Sequence, residues 1–131
     1  MVLCSVEDVQ AYAKPESVSD ADITAIIQRV STDVMTKAEA TDETNAFLVQ
    51  AGIHGSVAAT LKKARSNGEL AASVETPEYK QQNTGIIDEI NSHEKEMAGY
   101  IQRYRDAERY KNFAIPYARA GIGTVNAELE S

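Results

Sequence analysis

"SDADITAIIQRVSTDVMTKA", residues 19–38, decides the fold. Ile23, Ile26, Ile27, Val30, Val34 and Ala38 recur every three or four residues, the spacing that sets side chains along one side of an α-helix. Ser19 is followed three residues later by Asp22, the reciprocal cap of a helix start, and Val18 is placed to staple against Ile23. The helix is expected to run about 33 Å and to end near Ala40. A stripe of this kind has to be covered by other elements.

Upstream, Ser5-Val-Glu-Asp8 repeats the cap pattern and opens a short helix expected over Ser5 to Ala13, with Val6, Val9 and Tyr12 or Ala13 on one side. Pro15 ends it, because proline disfavours helical geometry at Lys14. Downstream, Thr41-Asp42-Glu43-Thr44 supplies the next start signal. Phe47, Leu48, Ala51, Val57, Ala58, Leu61 and Ala64 form the following apolar face, and Asn67-Gly68 closes it. Gly52 and Gly55 lie inside that helix, each about 1 kcal/mol less favourable than alanine. They predict either a kink, the plainer outcome, or a close approach by a neighbouring backbone.

Residues 69–85 have no helical period and contain Pro77 and Gly85, so they read as a long loop with a short strand around Leu70 to Val74. The last helix is expected from Ile86 to about Tyr110. Ile87, Ile90, Met97, Ile101 and Tyr104 form its stripe, interrupted by Glu94; Asp88 and Glu89 open it, and Arg103, Arg105, Arg109 and Lys111 close it in keeping with the helix dipole. The segment that follows, "NFAIPYARAGIGTVNAELES", carries Phe113, Ile115, Tyr117, Ile122, Val125 and Leu129, while Pro116, Gly121 and Gly123 oppose a stable helix. The fold expected is all-α: a small bundle of one short and three longer helices over residues 1–111, a long loop before the last helix, and an extended C-terminal tail over 112–131.

The 131 residues, 43% of them hydrophobic, suffice for one domain with a real core. A net charge of −7 argues against gripping nucleic acid through phosphate neutralisation and against an anionic membrane surface. The opening residues have no basic region or apolar run of signal length, and no stretch approaches the roughly 20 apolar residues of a membrane span. A soluble intracellular protein is the expectation. Cys4 is the one cysteine, so no intrachain disulfide is possible; it is expected to pack as a small hydrophobe, with Glu7 and Asp8 raising its pKa.

Catalytic chemistry needs a nucleophile beside an oriented base, and the two histidines, His54 and His93, belong to no recognisable motif. Gly52-Ile-His-Gly55 has the spacing of a nucleotide-clamping loop but lacks flanking strands and basic residues. Glu89, His93 and Glu96 share a helix region and offer metal ligands, yet the second Glu-x-x-His of a di-iron bundle is missing, and a solvated charged face is the simpler reading. Gly121-Ile-Gly123 lacks the third glycine and the strand of a dinucleotide site. No catalytic residue, cofactor or metal ligand is assigned, and no enzyme is expected. The cations from Arg103 to Lys111 are balanced in part by Asp106 and Glu108; they remain the one candidate phosphate-facing patch, the basis of an alternative reading as a small helical DNA-binding regulator.

"LCSVEDVQAYA", a short gap, "SDADITAIIQRVSTDVMTKA", then "ARSNGELAASVETPEYKQQNTG" before a helix running into "YIQRYR" resembles the head-tail connector (adaptor, or head-completion) proteins of tailed phages and tailed archaeal viruses. The likeness spans residues 3 to 105 and rests on pattern, not on an invariant motif. It implies a structural virion protein at the head-tail interface, made in the host cytoplasm. Copies would form a ring, typically of about twelve, that joins the portal protein to a stopper or tail protein. DNA passes through the lumen without specific binding, and no membrane takes part. The resemblance brings no catalytic residues. It directs attention to surfaces: helix faces between neighbours, the loop with Leu70, Val74 and Tyr79 against a neighbour or stopper, and the tail against the portal or a neighbouring subunit.

Two properties of the residues agree with that implication. An acidic lumen repels phosphate and lets DNA move. The tail places Phe113, Ile115 and Tyr117 at a strand period of two, so that these groups, with Ile122 and Val125, are expected to enter pockets on another chain. Twenty extended residues reach roughly 65 Å. The competing expectation is a tail folded back over its own bundle.

Overall fold

The computed structural model describes the backbone of residues 2–68 and 77–120, and the side chains of residues 2–68 and 85–111. It is an all-α bundle of four helices: α1 (Val6–Gln10), α2 (Asp20–Ala38), α3 (Ala46–Ser66) and α4 (Pro77–Ala120). No strand occurs among the described residues.

Both Ser-x-x-Asp signals are realised as reciprocal caps. The Asp8 amide donates to Ser5 Oγ at 3.2 Å and the Ser5 amide donates to Asp8 Oδ2 at 3.0 Å. Ser19 and Asp22 make the same exchange at the head of α2, at 3.1 and 3.4 Å. Every member of the expected α2 stripe, Ile23 to Ala38, is buried, as is Val18 ahead of the cap. The helix ends at Glu39, whose left-handed φ of 54° stops it one residue earlier than the sequence suggested.

The start of α3 differs from expectation. Asn45, not the Thr41–Thr44 run, caps it, accepting from the amides of Phe47 at 2.9 Å and Leu48 at 3.4 Å. Asp42 instead folds the preceding turn by accepting from the hydroxyl and amide of Thr44. These bonds, the hydroxyl's first, hold the Asp42 carboxyl below the usual carboxylate range.

From Ala51 to Ala58 α3 is buried without interruption, so this helix occupies the middle of the bundle. That position settles the role of its glycines. A Cβ on Gly52 would stand 2.6 Å from Leu3 Cβ; one on Gly55 would stand 2.8 Å from Val30 Cγ1 and 2.5 Å from Met97 Sδ. The helix is continuous through both, and the glycines serve close approach by side chains of neighbouring elements. The lead-in to α1 is tied down from the other side: the buried Leu3 amide donates to Ser31 Oγ of α2 at 2.9 Å.

The chain divides into two compact units, Met1–Ile101 and Gln102–Ser131, with the division falling inside α4. The largest departure from the sequence reading is the extent of that helix. It begins at Pro77, so residues 77–85 are not loop, and it continues to Ala120, past the break expected near Tyr110. Proline at the first helical position gives up only an amide that has no intrahelical partner anyway, which turns an apparent breaker into a starter. At Pro116 one backbone bond is lost. Extending an existing helix needs no new nucleus, however, and Ala114, Ala118 and Ala120 are the strongest helix formers, so helix persists through the proline. Residues 69–76, with the strand expected at Leu70 to Val74, and residues 121–131 lie outside the described residues.

Candidate functional site

Sequence reasoning treats His54 and His93 as unrelated residues. The fold of the first unit brings them together: His54 on α3 and His93 on α4 face each other with Nδ1 atoms 2.8 Å apart and rings stacked at 5.1 Å. In the neutral pair one Nδ1–H donates to the other ring's lone pair. Tyr12, just after α1, packs against both rings at 5.4 and 5.5 Å, and Tyr100 stacks on His54 at 5.8 Å with an interplanar angle of 10°. Phe47 continues the aromatic row beside Tyr100.

His54 is only 9% exposed. Burial pushes its pKa below the ordinary value and His93 adds to the effect, while Glu96 opposes it. The neutral form of His54 is thereby favoured. The cluster therefore clamps α3 to α4, with Tyr12 bearing on both rings from the end of α1. A signal for half of this pair existed in the sequence: position 93 lies three residues after Ile90 and four before Met97, in register with the α4 stripe. Nothing local marks its partner thirty-nine residues away.

The pair does not extend to a metal-holding cluster within what is described. Among the described residues no group of three or more His, Cys, Asp or Glu side chains is placed to hold a metal ion, so Glu89, His93 and Glu96 do not assemble into one. Cys4, half-buried, donates weakly to Ser56 Oγ at 4.0 Å. Its pKa is raised mainly by burial and secondarily by Asp8, so a larger cause joins the acidic first turn.

A second feature of this unit is a groove of about 420 Å³ between α2, α3 and α4. Val30, Gly55, Ala58 and Met97 contribute its apolar surface; Arg29, Asp33, Lys62, Lys63 and Glu94 contribute charge. Lys62 pairs with Glu94 across α3 and α4, and Asp33 pairs with Lys37 at 3.1 Å.

The surfaces named from sequence fall at the margins of the description. Phe113, Ile115 and Tyr117 are on the helical backbone of α4, so the strand period of two does not apply to them: positions 113 and 117 are about one turn apart and 115 falls opposite. Tyr79 is in the first turn of α4. Leu70, Val74, Ile122 and Val125 lie outside the described residues. At the basic end of α4, Arg109 reaches Asp106 at 3.9 Å and Lys111 reaches Glu108 at 3.8 Å, while Tyr110 is 75% exposed.

Fold and site together define a small all-α bundle protein whose distinctive features are a part-buried histidine pair and an open groove. Compared with family models, with curated proteins and with solved structures, the chain matches none. No helix among the described residues is long and apolar enough to cross a membrane.

Proposed function

We propose that this protein is a structural coupling piece, a head-tail connector whose copies form a ring between a portal and a stopper or tail protein. The observation that carries the reading is the length of α4. At 44 residues it is more than twice as long as α2 or α3, of 19 and 21 residues. At 1.5 Å per residue, α2 and α3 measure about 28 to 32 Å, and α4 adds more than twice as many helical residues as either. Helix in such excess finds partners of matching length in other copies. The net charge of −7 supports a lumen that conducts DNA and does not hold it. The resemblance over residues 3 to 105 points the same way, and the helical caps that form part of it are made by the side chains it quotes.

Negative-stain imaging of the purified protein, alone and mixed with the portal of the same particle, tests the proposal. Rings, or a collar on the portal, are the expected result; a protein that stays monomeric and never joins a portal rejects it. The rival reading as a DNA-binding regulator draws on the basic end of α4. There ion pairs with Asp106 and Glu108 already engage Arg109 and Lys111, which favours the connector. DNA affinity that falls steeply with added salt would reverse that preference.

A further inference from the structure

We infer that the groove between α2, α3 and α4 is the acceptor for residues 121–131 of a second copy of this chain, a proposal that rests on the ring-forming reading above. The charges around the groove are unevenly committed. Asp33 is engaged by Lys37, and Glu94 by Lys62. Among the described residues the side chains of Arg29 and Lys63, both exposed, have no ion-pair or hydrogen-bond partner. The groove thus presents two uncommitted cations beside an apolar floor of Val30, Ala58 and Met97, on a chain that is otherwise acidic. Its volume is in the range of clefts that bind small ligands.

An occupant has to bring aliphatic groups and carboxylates without cations. Residues 121–131, "GIGTVNAELES", carry Ile122, Val125 and Leu129 together with Glu128 and Glu130, and contain no lysine or arginine. The contact is heterologous, joining two different patches of one subunit, which is the geometry that closes rings. It also assigns partners to Ile122 and Val125 without calling on the portal.

Cross-linking of the full chain in a Cys4→Ser background tests this. One preparation carries Ser66→Cys at the groove edge and a second, isotopically heavier, carries Asn126→Cys. A short bis-maleimide is expected to give a covalent heterodimer in the mixture. Arg29→Glu in the groove chain lowers its yield about tenfold through like-charge repulsion, and Glu130→Arg in the other chain restores it. No heterodimer, or a heterodimer indifferent to Arg29→Glu, overturns the proposal. Imaging the same samples keeps the two ideas apart. Rings without the cross-link leave the connector standing and remove the groove as its joint; the cross-link without portal collars does the opposite.

Discussion

At Gly55 of α3, side chains of α2 and α4 close in from both sides, and the absence of a side chain there is a packing requirement. Gly55→Ala adds a methyl into Val30 and Met97; overpacking of this kind costs about 1–3 kcal/mol, against a helix-propensity gain of about 1 kcal/mol. A net loss is expected, lowering the melting temperature by several degrees, at about 4 °C per kcal/mol for a chain of this size. Gly99, on α4, has open space where its Cβ would be, so Gly99→Ala is expected to raise stability by up to about 1 kcal/mol. Thermal melts followed by circular dichroism compare the two, and a Gly55→Ala protein as stable as Gly99→Ala would refute the packing account. Glu39 offers the converse case. It holds a left-handed φ of 54° that costs a non-glycine residue about 1–2 kcal/mol, so Glu39→Gly is expected to stabilise by about 0.5–1 kcal/mol, measurable as a higher denaturant midpoint at unchanged slope.

Between elements, the His54–His93 clamp makes the bundle sensitive to acid. The native pKa of His54 is depressed below its unfolded value of 6.5, so the unfolded chain binds the proton more readily. Stability is therefore fully present above about pH 6.5 and is lost as pH falls from there through the depressed native value. A first proton on the pair still leaves one lone pair to accept the bond; a second removes it and sets two cations side by side, with Glu96 the nearby carboxylate that favours the charged form of His54. Denaturant midpoints measured from pH 7.5 to pH 5 are expected to decline below about 6.5, and His93→Gln to flatten the decline; an unchanged slope in that variant would assign the acid sensitivity elsewhere. This clamp also marks the limit of what local pattern reveals. The caps at Ser5 and Ser19, and the α2 stripe, were legible because each depends on residues three or four apart. The histidine contact depends on how α3 and α4 pack, and so was not. Pro77 and Pro116 misled for a related reason: a breaker's effect depends on whether it stands at a helix start or meets a helix already formed.

At the scale of the whole molecule, α4 links the two compact units, and removing its outer part tests whether that part serves stability or assembly. The buried set of side chains from Leu3 to Ile101 lies in the first unit, as do both caps, the glycine contacts and the histidine clamp, and buried Tyr104 also precedes Lys111. Truncation after Lys111 deletes the helical residues 112–120 with Phe113, Ile115 and Tyr117, together with the segment bearing Ile122 and Val125, and leaves that set in place. If those residues work on other chains, the truncated monomer should melt within about 4 °C of the full chain, roughly 1 kcal/mol at this size, while ring formation and portal binding disappear. If they cover an apolar surface of their own bundle, the removed contacts come out of the folding free energy and the melting temperature falls by 8 °C or more, about 2 kcal/mol. The measurement has to be made at a concentration where sedimentation shows monomers in both samples, because assembly by itself raises the apparent stability of the full chain by mass action. Under that condition, a large drop in melting temperature would mean that the C-terminal residues belong to the fold, and the coupling role would then have to be carried by the helical faces of the bundle alone.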